Sequence, residues 1–393
     1  MNPLKRTLKV VASLRLTVIL FAMAMFLILA GTLAQVHEGI WTVVDRYFRS
    51  GLVRIEFQLF VPREVARIPG AILFPGGFAI AGALLVNLLA AHALRFKFSV
   101  KRLGIIMTHL GIILLLVGEF VTGIAATEGN LSIDEGSSSN FIEDIRTTEL
   151  AVIDPSDVND DLVVVVPDRF LARNDGPVSH GLLPFRIRVD QWMPNSVLQG
   201  PKQASAAVLA KADSGFGKSV AAVPIARATG VDGMTTDIPS AYVTLLRGEE
   251  RLGSFLVSLY MEEPQPVDVG GKVYGIQLRF KRTYKPYTLH LIDFSHDLFV
   301  GTRTARNFSS KIRLVDPARQ VDREVLIYMN HPLRYAGETF YQSAFKENDS
   351  GTILQVVRNP GWLLPYVSCA MVGVGMLYHF GMRMAPAVRR RTK

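Results

Sequence analysis

The sequence contains very little cysteine and tryptophan for its 393 residues. Its one cysteine, Cys369, lies in an apolar run, so the chain cannot form an internal disulfide and is not expected to exchange thiols. There is no Cys-x-x-Cys-His motif for covalent haem. The tryptophans Trp41, Trp192 and Trp362 are isolated, so no tryptophan-rich segment is present.

Motifs for catalysis are also missing. The sequence has no glycine-rich phosphate loop, no Gly-x-Ser-x-Gly and no histidines with metal-ligand spacing on a helix. Lysine and arginine (43) outnumber aspartate and glutamate (34), but the basic residues are not interleaved with aromatic residues as in a nucleic-acid site. These absences disfavour an enzyme that acts alone and a nucleic-acid-binding protein.

Long apolar runs are the dominant feature that the sequence does have. Four of them satisfy the rule of about 20 apolar residues per membrane span. The first is long for the apolar part of a signal peptide and lacks a clear cleavage site, so we expect it to be retained. The sequence therefore predicts four transmembrane α-helices, at residues 14–34, 71–94, 103–126 and 362–384.

The basic residues that flank these runs predict an orientation. Residues 1–15, 95–102 and 383–393 together contain thirteen basic residues and no acidic ones. Segments of this kind stay in the cytoplasm under the positive-inside rule. Both termini are therefore predicted to be cytoplasmic, and the outer loop 35–70 and the long segment 127–360 are predicted to lie outside.

The long segment has the pattern of a β-rich domain. Short runs of β-branched and aromatic residues recur between turn signals, and period-2 alternation is visible in FRIRVDQW and IQLRFKR. We predict a large, mostly antiparallel β domain inserted between the third and fourth helices. The predicted organisation is a membrane part at 1–126, an extracytoplasmic β-rich domain at 127–360, and the fourth span with a basic tail at 361–393.

The late part of this domain resembles a known family. It reads LHLIDFSHDLFVGTRTARNFSSKIRLVDP and then VLIYMNHPLRYAGETFYQSAF. These stretches resemble the ResB-like (CcsB) proteins of cytochrome c biogenesis, and FPGGFAIAGALLVNLLAAH in the second span is similar to the short members with four spans. The residues that carry the motif are expected to be structural or to dock a partner; they are Asn330, Pro332, Leu333, Gly337, Tyr341 and Gln342.

The resemblance implies a function in a complex. Such a chain would be a subunit of a system II cytochrome c synthetase, helping to move haem b across the membrane and to present it to apocytochrome c. It would bind haem transiently and without a covalent bond, and would be non-catalytic alone within a holocytochrome c synthase (haem lyase) complex. The implied partners are a polytopic ResC/CcsA-type haem-handling protein, apocytochrome c and, indirectly, thioredoxin-like reductants. The implied location is the bacterial inner membrane, with the large domain on the periplasmic side.

Histidines inside the predicted spans are the candidate haem ligands. His109 lies near the start of the third span, where an ionisable group is costly and usually functional. The resemblance implies that a histidine at this place is an axial haem ligand, with its partner histidine on the other subunit; a hydrogen-bonded packing role is the alternative. His379 is a weaker alternative ligand, and His92 is expected to pack at the interface. Glu119 is a candidate for an intramembrane polar role or for an interfacial carboxylate.

A second functional class also fits the topology. A membrane-anchored accessory or sensor protein of a transport complex, with no haem role, explains the spans and the charge equally well. It does not explain why a histidine in the third span accompanies the late family motif.

The predicted orientation is tested by reporter fusions. Alkaline phosphatase needs disulfides and is active only outside the cytoplasm. Fused after Ser138 it is expected to be active, and fused after Ser99 it is expected to be inactive, with green fluorescent protein giving the opposite pattern at the same two sites. Equal phosphatase activity at both sites would contradict the orientation.

Overall fold

The computed structural model describes residues 3–62, 65–95, 98–157, 160–173, 175–228, 237–298, 305–346 and 350–391. Contacts divide the chain into a membrane unit, which ends at Thr127 and resumes at Arg358, and a β unit that begins at Glu128 and ends at Val357. The helices in chain order are α1 (Pro3–Val11), α2 (Leu14–Glu38), α3 (Ile40–Val43), α4 (Gly77–Arg95), α5 (Leu103–Ala125), α6 (Asp168–Arg173), α7 (Ala206–Leu209) and α8 (Leu364–Arg391).

Four of these helices, α2, α4, α5 and α8, are long and apolar enough to cross a membrane. The strands fall between α5 and α8, apart from one short hairpin that precedes α4. The predicted fold class, four transmembrane helices with a large antiparallel β domain between the third and the fourth, is therefore confirmed.

The strands alternate inward apolar and outward polar residues over most of their length. They are β1 (Leu52–Glu56), β2 (Ala71–Pro75), β3 (Thr127–Asp134), β4 (Ser138–Asp154), β5 (Leu162–Pro167), β6 (Arg186–Met193), β7 (Ser196–Gln199), β8 (Ala221–Pro224), β9 (Ser240–Arg247), β10 (Glu250–Ser258), β11 (Gln265–Val269), β12 (Lys272–Leu298), β13 (Ala305–Asp316), β14 (Val321–Tyr328), β15 (Leu333–Tyr335), β16 (Glu338–Phe345) and β17 (Gly351–Arg358).

The second predicted span, 71–94, begins differently in the structure. Residues Ala71–Pro75 form β2, which pairs antiparallel with β1, and the helix begins only at Gly77. Hydropathy alone does not distinguish a short apolar strand from the first turn of a helix. A Cβ atom on Gly76 or Gly77 would lie 2.3 Å from a carbonyl oxygen of Ser50 or Phe48, so the chain turns from strand to helix where only glycine fits.

A break separates α1 from α2, and Asn87 of α4 covers it. Ser13 caps the start of α2 by accepting a hydrogen bond from Leu16 N at 3.2 Å. The buried Asn87 side chain donates to the carbonyl oxygens of Val11 at 2.6 Å and Ser13 at 3.2 Å, and it accepts from the Thr17 hydroxyl at 2.7 Å. The backbone groups that the break leaves open are thus satisfied away from water.

Helices α5 and α8 pack through glycine. Gly104, Gly111 and Gly118 recur every seven residues on α5 and are all buried. A Cβ atom on Gly104 would lie 2.6 Å from the carbonyl oxygen of Gly375, and one on Gly111 would lie 2.7 Å from the Val372 side chain. Small residues at this spacing let two helix backbones approach closely in a membrane.

The β unit has one large sheet and several smaller ones. The sheet runs in the order β14-β13-β12-β4-β3-β17-β16-β15, with β11 and β5 pairing with β12 and β4 off this path. A three-stranded sheet, β10-β9-β6, packs its apolar face against one end of it. The unit has two large hydrophobic cores, one built around the first half of β12 and one around the second half, and a smaller one around Tyr242 and Leu256.

A matched pair of glycine substitutions tests the helix contact. Gly111→Leu is expected to destabilise the protein by at least about 1–3 kcal/mol, because the larger side chain overpacks the contact with α8. Gly373→Leu is the control, since a Cβ atom at Gly373 meets nothing within 4 Å. Thermal unfolding of both full-length variants in detergent measures the difference. Equal melting temperatures would show that the close contact does not hold the helices.

Candidate functional site

The structure brings two intramembrane histidines together. His92 near the end of α4 and His109 near the start of α5 lie with their ring centroids 4.8 Å apart and their planes at 87°. The Nδ1 atom of His92 is 2.9 Å from the carbonyl oxygen of Leu88. Both rings are half-buried within this chain. The pairing follows from the antiparallel packing of α4 on α5, which also brings Phe78 to within 5.2 Å of Phe120.

This geometry bears on how a haem group would fit. Two axial imidazoles of one iron lie on opposite faces of the flat macrocycle. Rings in edge contact, as in His92 and His109, leave no space for a porphyrin between them. If haem bound here, one of the two imidazoles could hold its iron while the other lay beside it.

His379 belongs to α8 and packs against a face of α5 that is different from the face that carries His109. Its Cβ atom is 2.9 Å from the position of a Cβ atom on Gly104, so it belongs to the α5–α8 contact. His109 lies five residues after Gly104 and two before Gly111, which places it roughly 140–160° around the helix from the glycine stripe. Glu119 is exposed on α5, ten residues beyond His109. Glu119 leaves α5 roughly 80° around the helix from His109 and roughly 15 Å farther along it, and His379 packs at the glycine stripe, so neither belongs to the His92–His109 pair.

The family motif begins with a tight turn. Asn330 has a left-handed backbone with φ of 64°, a conformation that asparagine tolerates better than most residues. Tyr328 and His331 exchange backbone hydrogen bonds, and their rings stack at 4.1 Å. Pro332 follows the turn, and Leu333 is buried in the second core. His331 therefore has a structural role here.

The next part of the motif is a hairpin between β15 and β16. Ala336 and Gly337 both have positive φ, at 51° and 80°, which is the backbone that a two-residue hairpin turn requires. The ring of Tyr341 is 39% exposed on β16. Gly337 thus serves the turn, whereas Tyr341 is available on the surface.

Gln342 organises a buried group of hydroxyls. Its Oε1 atom accepts from the Ser310 hydroxyl at 2.6 Å, and its Nε2 atom is 2.9 Å from Thr352 Oγ1 and 3.2 Å from the carbonyl oxygen of Ala344. Ser310 and Thr352 are fully buried. One side chain therefore joins β13, β16 and β17.

Glu338 is a motif residue that sequence reasoning missed. It is 6% exposed, accepts from Lys285 Nζ at 2.5 Å and accepts from the Tyr287 hydroxyl. Burial and the hydrogen bond to Glu338 raise the pKa of Tyr287. The hydroxyl of Tyr335 donates to Asp316 at 2.6 Å and lowers the pKa of that carboxyl group. In the sequence, the acidic Glu338 directly after the turn residue Gly337 was the signal that could have indicated this network.

The charges in this network have structural partners. Within the ranges that the structure describes, no group of three or more His, Cys, Asp and Glu side chains is arranged to hold a metal ion. The intramembrane pair His92 and His109 is therefore the candidate functional site, and the motif forms the framework of the β unit.

The structural reading of Gln342 is testable. Gln342→Ala should lower the free energy of unfolding by about 1–3 kcal/mol, because it leaves buried hydroxyl groups without their partner. Tyr341→Ala, at an exposed position one residue earlier, should change it by less than about 0.5 kcal/mol. Denaturant unfolding of the full-length chain in detergent, followed by β-sheet circular dichroism, measures both. A larger effect at Tyr341 would contradict the reading.

Comparison with known proteins gives two similarities. Residues 265–353 match the model of the ResB-like family, a range that includes the whole motif. Over 314 residues the chain is 26% identical to Protein NrfI of Wolinella succinogenes, an alignment that covers 77% of this chain and 30% of that protein. The chain thus spans about 30% of the length of the curated relative it matches. The resemblance to the ResB-like family that the sequence indicated is confirmed.

Proposed function

We propose that this chain is a haem-presenting subunit of a complex that attaches haem to apocytochrome c. The similarity of residues 265–353 to the ResB-like family supports a role in cytochrome c biogenesis. The four apolar helices support a subunit embedded in the membrane, and the flanking basic residues support an inner-membrane protein with its β unit outside.

The observation that carries the proposal is the His92–His109 pair. An ionisable ring within a membrane span costs free energy, so its presence there indicates a function. Here two such rings are in contact. Imidazole is a common axial ligand of haem iron. His109 supplies that ligand in our proposal, while its half-buried ring remains accessible from outside this chain.

His92 has a positioning role in this proposal. A carbonyl oxygen only accepts hydrogen bonds, so the Nδ1 atom of His92 carries the proton that it shares with Leu88 O. The Nε2 atom of a neutral His92 ring is then an acceptor. This atom and Nδ1 of His109 are both buried. We propose that the two rings, which are already in edge contact, adjust so that His109 Nδ1 donates to His92 Nε2; this hydrogen bond would fix the tautomer of His109 and leave its Nε2 lone pair for iron.

Our proposal needs a second protein, because this site supplies only one ligand for the iron. Since His92 cannot serve as the second axial ligand of the same iron, that ligand comes from another chain. We propose that it comes from a polytopic ResC/CcsA-type protein, because the resemblance to the ResB-like family implies a haem-handling partner of that kind. Bound haem b supplies the group to be transferred, and the residues of this chain hold and orient it. Apocytochrome c is the proposed acceptor, and thioredoxin-like proteins would reduce its thiols.

Histidine variants of the complex test this proposal. His109→Ala is expected to remove the haem absorbance of the purified complex and covalent haem from membrane cytochromes, with partial rescue by imidazole. His92→Phe keeps a ring of similar shape and should weaken haem binding by about 10–100-fold without rescue by imidazole, because the ligand itself remains. His379→Ala is the control and should retain haem.

Two further measurements separate the parts of the proposal. Deleting the gene should leave apocytochrome c without haem if no other assembly system is present. Normal c-type cytochromes in that strain would overturn the function and favour the accessory or sensor reading. Nitrogen-15 NMR of histidine in the haem-free chain reports the tautomer of His109 directly. An unchanged tautomer in His92→Phe would overturn the positioning role alone.

A further inference from the structure

The hairpin of β1 and β2 is attached to two membrane-spanning helices. Val53 and Ile55 point inward and are 1% and 0% exposed, in a cluster with Leu27 and other α2 residues. The ring of Phe74 lies 5.0 Å from that of Phe26, in the middle of α2. Strand β2 ends two residues before α4 begins. The hairpin therefore lies where a membrane span starts.

The outward face of this hairpin changes from apolar to charged along its length. Leu52 and Leu73 are 63% and 71% exposed near the end that joins α4. Across the strands Leu52 lies opposite Pro75, Arg54 opposite Leu73, and Glu56 opposite Ala71. The outward face thus runs from an apolar pair next to the helix, through a mixed pair of Arg54 and Leu73, to Glu56 at the far end. This order matches a membrane surface, where acyl chains give way to headgroups.

An open cavity of about 670 Å³ lies at the charged end. Gln58 builds its wall: it accepts from Ile68 N at 2.9 Å and donates to the carbonyl oxygens of Val61 and Ala66 at 2.8 and 3.0 Å. These bonds hold the segment that carries Arg67 beside the hairpin. The cavity is lined by Arg54, Glu56, Gln58, Arg67, Ile68, Pro69 and Gly70.

We propose that this cavity binds the headgroup of a membrane phospholipid of the phosphatidylethanolamine type. Arg54 and Arg67 supply two guanidinium groups, which suit a phosphate. Glu56 supplies one carboxylate for the ammonium group. The exposed Leu52 and Leu73 lie beside the acyl chains. The continuity of β2 with α4 makes a lipid of the surrounding membrane the occupant, and this inference holds whether or not the chain handles haem.

Native mass spectrometry of the full-length chain, released from detergent with added phosphatidylethanolamine or phosphatidylglycerol, tests the headgroup. Arg54→Gln and Arg67→Gln should each weaken retention of both lipids by about five-fold, the contribution of one arginine at a membrane surface. Arg49→Gln is the control, since Arg49 pairs with Asp45 and does not line the cavity. Glu56→Gln should weaken retention of phosphatidylethanolamine and spare phosphatidylglycerol. If Arg54→Gln or Arg67→Gln retains as much lipid as Arg49→Gln, the cavity is not the lipid site. If Glu56→Gln loses both lipids equally, the site does not select the ethanolamine headgroup.

A spin label tests the lipid-facing surface separately. Leu73→Cys is labelled in a Cys369→Ser background, in nanodiscs that contain phosphatidylethanolamine and phosphatidylglycerol. The label should be accessible to oxygen and protected from a water-soluble nickel complex. Val165→Cys, which is 43% exposed on β5, is the water-facing control. If the nickel complex reaches the label at position 73 as readily as the control, the face is exposed to water and the proposal is wrong. If neither oxygen nor the nickel complex reaches it, protein covers the face and the proposal is also wrong.

Discussion

Close contact between the backbones of α5 and α8 is the constraint on which the rest of the structure depends. Along α5 the buried glycines Gly104, Gly111 and Gly118 meet, in turn, Gly375, Val372 and Leu364 on α8, so the two helices run antiparallel. The chain leaves α5 directly into β3 and returns from β17 to α8. Those two strands are neighbours in the large sheet. The two chain segments that leave and re-enter the membrane unit therefore take part in the α5–α8 contact in that unit and in β3–β17 pairing in the β unit.

Helix α4 provides the polar contacts inside the membrane unit. Asn87 covers the break between α1 and α2, while His92, five residues later, meets His109 of α5. Five residues correspond to roughly 140° around a helix, so these side chains leave α4 on different faces. One helix thus satisfies a backbone break on one side and positions a histidine on the other. The position of His109 on α5 therefore depends on its contact with His92 of α4, a residue of a different span.

Much of the architecture could be predicted from the sequence, because apolar length determines the number of spans and period-2 alternation indicates strands. Residues 71–75 were assigned to a helix because hydropathy does not report hydrogen-bond partners. The approach of His92 to His109 depends on the register of two antiparallel helices, which no local pattern encodes. The glycine stripe on α5 was visible as a seven-residue repeat, but its partners on α8 lie more than 240 residues away. Glu338 was missed because its partners, Lys285 and Tyr287, come from a distant strand.

The first and last strands of the β unit are neighbours in the large sheet, and this pairing affects how the unit folds while the chain is being synthesised. Strand β3 is complete at Asp134, whereas β17 begins at Gly351, so more than 200 residues separate the two partners in the chain. At a translation rate of about 5–20 residues per second, β3 keeps an open edge for roughly 10–40 s. An unpaired strand edge recruits other strands readily. The nascent protein therefore passes through a period in which it is vulnerable to aggregation, and a chaperone that covers strand edges would have most effect during that interval.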